Sequence, residues 1–280
     1  MDMPEPAGVA REIRDYYDRT PEEDRLASGP SQLEALRTRE LIGRFGPRPP
    51  ATVIDVGGAA GPYAIPLAGE GYTVHLIDAS PRLVTEARER SRTAARPLAS
   101  AEVGDARALP FPDRAADVVL LLGPLYHLTS ADDRARALAE AARVLVPGGV
   151  LFAAGISRWA STMDGLAREL FADPRFVAMA ERDLRDGQHR NDTGRADYFT
   201  TAYFHRPEEL TAEVEASGLA TDGLFGLEGP GWILPDFADR WADPPGREEL
   251  IRVARALESE PSIVGASAHL LVVAHKTAPR

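Results

Sequence analysis

Between Ala51 and Ser157 the chain alternates short apolar runs with longer segments in which apolar residues recur every three or four positions. The short runs are typical of buried strands, and the periodic segments are typical of helices that bury one face. Strands that alternate with amphipathic helices form right-handed βαβ units around a parallel sheet. The pattern therefore predicts an α/β fold with a doubly wound, mostly parallel sheet.

Local signals predict where these elements begin and end. Ser80 followed by Pro81 is typical of a helix start. The helix after the first strand should begin near Tyr63, because Pro66 is tolerated only in a first helical turn. The predicted strands cover residues 51–57, 72–79, 100–106, 115–123, 150–157 and 266–276.

The regions on either side interrupt this alternation. Residues 1–50 show helical patterns, and one helix is predicted to begin at a Ser31 cap with Glu34 in the capping-box position and to end at Gly46. Residues 158–206 exceed the usual two to six residues of a connection in an α/β unit, so they are predicted to be an insertion. The insertion follows the carboxyl end of a strand, where ligands bind in such sheets. The predicted organisation is a helical lid at 1–50, a core at 51–157, an inserted substrate cap at 158–206 and a completion of the core sheet at 207–280.

A glycine-rich loop joins the first two predicted strands in VIDVGGAAGPYAIPLAGEGYTVHLIDAS, residues 53–80. The dinucleotide-binding pattern G-x-G-x-x-G fails when it is counted from either Gly57 or Gly58, and the P-loop ending G-K-[ST] is absent from the sequence. The remaining pattern is an acid at a strand end followed by small residues at alternate positions: Asp55, Gly57, Ala59 and Gly61.

This pattern resembles the acid-x-G-x-G-x-G motif of class I S-adenosylmethionine-dependent methyltransferases, and the resemblance extends along residues 51–157. In that family an acid at the end of the second strand binds the ribose hydroxyls, and an acid after the third strand contacts the adenine amine. Asp78 and Asp105 occupy these two places, and VLVPGG matches the family's L-x-P-G-G junction. The resemblance implies a seven-stranded sheet with an antiparallel last strand and S-adenosylmethionine as cofactor. The predicted cofactor-binding residues of the core are Asp55, Gly57, Gly58, Ala59, Gly61, Asp78, Ala79, Asp105, Ala106 and Gly123.

Each of the three acids also has a structural interpretation. Asp55 can be a buried acid that binds loop amides without a ligand, Asp78 can cap the next helix, and Asp105 can be a turn residue. Ala59 stands where the family has its middle glycine, and its methyl group is tolerated if the residue keeps a negative φ.

The predicted catalytic residues follow the fourth strand and the insertion. The segment LLLGPLYHLTS should place Tyr126 and His127 beside the methyl group, and His127 is the predicted general base because imidazole titrates near neutral pH. The alternative is a histidine that packs at a helix start. His205, at the exit of the insertion, is the second candidate. The aromatic residues Tyr198, Tyr203 and Phe204 line an acceptor pocket or form the core of the cap itself.

Two further predictions concern other parts of the chain. Tyr16, Tyr17 and Arg37 of the N-terminal helices are predicted to close over the cofactor, because arginine pairs with a carboxylate and an aromatic face attracts a cation. Their alternative is a packed tyrosine pair and a solvated arginine. His75 and His269 lie inside predicted strands and are expected to be structural, and the histidine spacing predicts no metal site.

Composition narrows the class of acceptor. The 280 residues carry a formal net charge of −11, which disfavours nucleic acid because phosphate binding requires concentrated basic residues. Cysteine is absent, which excludes disulfides and thiol nucleophiles. The sequence starts without a basic and then apolar leader, and no apolar run reaches the roughly 20 residues of a membrane span, so we expect a cytoplasmic enzyme without a membrane partner. The predicted function is methylation of a small molecule at oxygen or nitrogen. An RNA-modifying methyltransferase and a non-catalytic binding protein are the alternatives, and the oligomeric state stays open.

Overall fold

The computed structural model describes residues 22–278, with side chains from Arg25 onward. One mixed sheet forms its centre, and seven of its strands run in the order β3-β2-β1-β4-β5-β9-β8. Neighbours from β3 to β5 are parallel, whereas β9 is antiparallel to both β5 and β8. The strands are β1 (Thr52–Val56), β2 (Thr73–Asp78), β3 (Ser100–Val103), β4 (Ala116–Leu121), β5 (Leu145–Ser157), β6 (Gln188–His189), β7 (Ala202–His205), β8 (Ala220–Gly226) and β9 (His269–His275).

Helices cover both faces of this sheet. Successive strand residues point to opposite faces, so Ile54 of β1 packs into one buried cluster while its neighbour Val53 packs into the other. Both faces of the central strands are therefore apolar, which explains the continuous apolar runs in the sequence. The helices are α1 (Ser31–Phe45), α2 (Ala64–Glu70), α3 (Pro81–Thr93), α4 (Pro124–His127), α5 (Ala131–Val144), α6 (Ala160–Ala167), α7 (Pro174–Asp186), α8 (Pro207–Ala216), α9 (Phe237–Ala242) and α10 (Pro244–Leu257).

The predicted helix starts are confirmed in two places and wrong in one. Helix α2 begins directly after Tyr63, which leaves Pro66 in the first turn, and the Ser80 hydroxyl accepts a hydrogen bond from the Leu83 N–H. Helix α1 begins at Ser31, but no side chain caps it. Ser31 and Glu34 accept hydrogen bonds from the Arg25 guanidinium instead, so the predicted capping box does not form.

The structure confirms the six strands that the sequence predicted, and it also confirms the seven-stranded sheet with an antiparallel last strand that the resemblance implied. Residues 158–206 add two strands that the sequence did not indicate. Strand β7 runs parallel to the end of β5, where Ile156 pairs with Phe204 and Ser157 with His205, and β6 pairs with β7. The insertion thus extends the carboxyl edge of the sheet. None of the helices between residues 22 and 278 has both the length and the apolar character needed to cross a membrane.

Candidate active site

A cavity lies at the carboxyl edge of β1 to β4, and we call it the first cavity. The loops after these four strands contribute most of its wall, and the N-terminal segment contributes Arg25, Glu34 and Thr38. Nine of the predicted cofactor-binding residues line it: Asp55, Gly57, Gly58, Ala59, Asp78, Ala79, Asp105, Ala106 and Gly123.

The loop after β1 leaves no room for side chains. The N–H of Gly57 donates to the carbonyl of Ile77 at 2.7 Å, which holds the loop against β2. Gly57 has a φ of +71°, and a Cβ there would lie 2.6 Å from the ring of Pro124. A Cβ at Gly58 would lie 2.8 Å from Asp55 Oδ2. Glycine at both positions is therefore required by close backbone approach.

Ala59 does not keep the negative φ that we predicted. Its φ is +47°, in the left-handed region that costs a residue with a Cβ roughly 1–2 kcal/mol. In this conformation its N–H donates to Asp78 Oδ2 at 2.8 Å. The carboxylate of Asp78 thus compensates part of the strain by satisfying the loop.

The two acids of β1 and β2 differ in their partners. Asp78 accepts hydrogen bonds from the N–H groups of Ala59 and Ser80, both at 2.8 Å, whereas buried Asp55 Oδ2 has no hydrogen-bond partner among the described residues. Burial raises the pKa of Asp55 to about 7, and the neighbouring Asp78 carboxylate adds to this rise. Burial also raises the pKa of Asp78, although its two amide donors oppose the change. A cation or a hydrogen-bond donor in the cavity would favour the ionised form of both acids.

Asp105 is held by a neighbouring arginine. Arg107 donates to it from its backbone N–H at 2.9 Å and from its guanidinium at 2.6 Å, and the same guanidinium reaches Asp133 at 3.0 Å. Burial would raise the pKa of Asp105, but these hydrogen bonds outweigh it and lower the pKa. Asp105 lines the first cavity and is also a structural turn residue, so both of its interpretations remain compatible with the geometry.

A second cavity adjoins the first beneath the insertion. Arg25, Tyr126 and His269 line both cavities and mark their junction. Aromatic side chains dominate its wall: Phe176, Tyr198, Phe199, Phe204 and Trp232. Two of the three predicted cap aromatics, Tyr198 and Phe204, are thus both buried and on the cavity wall. The carboxylates of Asp164 and Asp197 are each paired with arginines.

His127 lines the first cavity and is held by the insertion. Its Nδ1–H donates to the carbonyl of Thr201 at 3.3 Å, and its ring packs edge-on against Tyr126. Burial lowers the pKa of His127 to about 4. The imidazole is therefore neutral at neutral pH, and it is a weaker base than an ordinary histidine.

His205 does not reach either cavity, which argues against its predicted role. Its side chain is buried between Gly155 and Glu213, and Nε2 lies 3.3 Å from a carboxylate oxygen of Glu213. Burial lowers the pKa of His205 as well. The alternation of residues in β7 points Phe204 toward the second cavity and His205 away from it.

Three other predicted positions have different outcomes. Arg37 lies outside both cavities, because its fully buried guanidinium pairs with Glu40 and Glu258. Gly61 shapes the loop, with a φ of +87°, but does not line the cavity. Tyr16 and Tyr17 lie outside the described residues.

Sequence reasoning missed an ionic cluster at the junction of the cavities. His269 Nδ1 lies 2.6 Å from Glu228 Oε1 and 3.5 Å from Glu34 Oε2, and Arg25 binds Glu34 at 2.7 Å. Possible metal-ligand atoms of Glu34, Glu228 and His269 lie within 4.8 Å of one another. The guanidinium already supplies a positive charge to this cluster, so a metal is not needed to balance the carboxylates. The only sequence signal was a histidine at the start of an apolar strand.

The first cavity fits S-adenosylmethionine. The cofactor carries a sulfonium, an ammonium group and ribose hydroxyls, which are cations or hydrogen-bond donors. The unpartnered oxygen of Asp55, the carboxylate of Asp78 and the side-chain-free backbone at Gly57 and Gly58 are complementary to such groups.

Comparisons with known proteins agree with this fit. Residues 54–153 match the family model described as a methyltransferase domain. The chain is 33% identical over 160 residues to the ubiquinone/menaquinone biosynthesis C-methyltransferase UbiE of Acidiphilium cryptum, which covers 56% of this chain and 62% of that protein. It is 35% identical over 104 residues to the probable tRNA methyltransferase 9B of Homo sapiens, covering 37% of this chain and 21% of that protein. The chain thus spans less than two thirds of the length of these curated relatives.

The fold has a solved counterpart. The crystal structure of an S-adenosylmethionine-dependent methyltransferase from Methanosarcina mazei superposes with a TM-score of 0.59 at 18% identity, over 85% of this chain and 98% of that one. The family match, the fold and the loop geometry agree at the same residues. Residues 54–153 therefore form a methyltransferase domain with the class I fold, and S-adenosylmethionine is its cofactor.

Proposed function

We propose that the protein transfers the methyl group of S-adenosylmethionine to a small, largely apolar acceptor. The observation that supports this function is the junction of the two cavities at Arg25, Tyr126 and His269. An acceptor in the second cavity would meet the cofactor there, and the insertion would exclude water from the reacting atoms. Methyl transfer is an in-line displacement, so alignment of the two reactants supplies much of the catalysis.

The walls of the second cavity favour an acceptor that contains an aromatic ring. Five aromatic side chains line it beyond Tyr126, and they suit offset or edge-on ring contacts. The carboxylate of Asp164 is 2.8 Å from Arg168, which offsets its charge and leaves the site without a strong preference for cations. We expected oxygen or nitrogen as the methylated atom. The matched UbiE relative is a C-methyltransferase, so a ring carbon activated by a hydroxyl joins these two atoms as a candidate.

Calorimetry tests whether the protein binds S-adenosylmethionine as the proposed function requires. The wild type should bind S-adenosylmethionine and S-adenosylhomocysteine, and Asp78→Asn should weaken both about 10- to 100-fold, because a hydrogen bond to a charged group contributes roughly 1.5–3 kcal/mol. Asp222→Asn is the matched control, since Asp222 pairs with His275 and lines neither cavity. Tighter binding of NAD than of S-adenosylmethionine would contradict the proposal.

Transfer of a radioactive methyl group tests which class of molecule is the acceptor. Label should pass from S-adenosylmethionine to 1-naphthol or 1,4-dihydroxynaphthalene, which carry hydroxyls on apolar rings, and not to bulk tRNA. The net charge of −11 predicts weak, salt-sensitive association with RNA. If tRNA were labelled and the naphthols were not, the proposed acceptor would be RNA and not a small molecule.

A further inference from the structure

His269 occupies a place that its strand alone did not indicate. It is the first residue of β9, which runs antiparallel to β5 and pairs His269 with Ile156. The start of an antiparallel strand lies at the edge where the parallel strands end. The side chain of His269 therefore reaches the carboxyl edge of the sheet and lines both cavities at their junction.

A buried carboxylate fixes the orientation of this imidazole. Glu228 is 3% exposed, and its Oε1 lies 2.6 Å from His269 Nδ1 while its Oε2 accepts the backbone N–H of the same residue at 3.1 Å. The carboxylate can only accept, so Nδ1 carries the proton and the lone pair of the neutral ring lies on Nε2. Nε2 has no hydrogen-bond partner among the side chains and backbone that the structure describes.

We propose that His269 accepts the proton of a hydroxyl on the acceptor during methyl transfer, and that Glu228 is its positioning residue. The inference rests on the proposed function and names its substrate class, a phenol or hydroquinone. The acceptor O–H proton passes to Nε2, and an electron pair of the resulting phenolate, from its oxygen or delocalised onto a conjugated ring carbon, forms the bond to the methyl carbon. After attack through carbon, the proton on that ring carbon is lost to water and the oxygen takes up a proton from water, which restores the aromatic phenol. The S–CH3 bond breaks with its electrons remaining on sulfur, which leaves neutral S-adenosylhomocysteine. The imidazolium then releases its proton to water.

Three histidines line the cavities: His127, His189 and His269. Both ring nitrogens of His189 are within hydrogen-bond distance of a partner, and the charges around the other two favour His269 over His127 as the base. Burial would lower the pKa of His269, but the carboxylates of Glu34 and Glu228 outweigh burial and the opposing Arg25, and they raise the pKa above 6.5. His127 faces a carbonyl instead of a carboxylate, and its pKa is about 4. A higher pKa makes the neutral ring a stronger proton acceptor, and the carboxylates stabilise the imidazolium that forms.

The test measures kcat with labelled S-adenosylmethionine and 1-naphthol across pH. His269→Gln should lower kcat by about 100- to 10,000-fold while its affinity for S-adenosylhomocysteine stays within about threefold of the wild type. The control is His275→Gln at the other end of the same strand, outside both cavities, which should leave kcat unchanged. Wild-type kcat/KM should rise with pH through an inflection above 6.5, because protonated His269 cannot accept the substrate proton.

Glu228→Gln separates positioning from folding. It should lower kcat about tenfold and move the inflection to lower pH, since the amide no longer stabilises the imidazolium. A purely structural role of Glu228 would leave the inflection in place, so an unmoved inflection overturns the positioning role. A wild type that methylates 1-naphthol while His269→Gln keeps kcat within about threefold overturns the inference but not the function. A wild type that binds no S-adenosylmethionine overturns the function itself.

Discussion

The first and second cavities are built in opposite ways. The first consists of loops that begin within a few residues of a strand end, such as Gly57 after β1 and Ala79 after β2. The second collects side chains that are distant in the sequence, from Arg25 to His269, and only tertiary folding brings them together. A short sequence motif can therefore specify a cofactor-binding loop, because the end of the preceding strand positions that loop directly. An acceptor pocket has no such local pattern.

The largest expected effect follows from a substitution in the first cavity. Gly57→Val combines a φ of +71° with a Cβ 2.6 Å from Pro124, so the loop must move and S-adenosylmethionine affinity should fall more than about 100-fold. Gly148→Val is the matched control, because Gly148 has a φ of +82° and open space around it. Both variants should lose roughly 1–3 kcal/mol of stability from backbone strain, and only Gly57→Val should lose the cofactor. Equal calorimetric affinities for the two variants would contradict this account of the loop.

Local sequence rules explain how much of the molecule could be predicted. Six core strands and the starts of α2 and α3 follow from periodicity and from proline and serine signals, and the structure agrees with them. The seventh core strand, β8, was implied only by the family resemblance. The predicted capping box at Ser31 does not form, because Arg25, six residues earlier, donates hydrogen bonds to the Ser31 hydroxyl and to the Glu34 carboxylate. The prediction that Arg37 closes over the cofactor is wrong for a related reason. Its guanidinium pairs with Glu40 and with Glu258, and Glu258 lies at the end of a helix that is distant in the sequence.

The candidate histidines also show that the sequence alone does not reveal which side chains face a cavity. His205 was a reasonable candidate by position, but the two-residue period of β7 turns it away from the cavity. His269 was expected to be structural because it lies inside a predicted strand. Its proposed role depends on the antiparallel direction of β9 and on Glu228, which lies 41 residues away.

A second prediction uses two buried groups of the first cavity that respond oppositely to pH. The pKa of His127 is lowered from 6.5 to about 4, so the stability it contributes is present above 6.5 and is lost as the pH falls toward 4. The pKa of Asp55 is raised from 3.8 to about 7, so its contribution is present below 3.8 and is lost as the pH rises toward 7. Between about pH 4 and about 6.5 the two slopes, each about 1.4 kcal/mol per pH unit, oppose one another.

Single substitutions should separate these slopes. Relative to the wild type, His127→Gln should become progressively less stable as the pH rises through this window, and Asp55→Asn should become less stable as the pH falls. Urea midpoints measured across the window provide the test, with His275→Gln, at the half-buried end of β9 and outside both cavities, as the control. A constant stability difference between His127→Gln and the wild type at every pH would show that His127 keeps its ordinary pKa in the folded protein.

The smallest effect is expected from filling the second cavity. Ala160 lies on the wall of that cavity and not of the first, so Ala160→Phe should raise KM for 1-naphthol about fivefold, equivalent to roughly 1 kcal/mol, and leave S-adenosylmethionine affinity unchanged. Ala167→Phe on the exposed end of the same helix controls for changes to α6, and should alter neither constant. Overpacking at Ala160 should also lower stability by about 1–3 kcal/mol, which a melting curve separates from the kinetic effect. If Ala160→Phe instead weakened the binding of S-adenosylmethionine and left KM for 1-naphthol unchanged, the second cavity would not be the acceptor site that we propose.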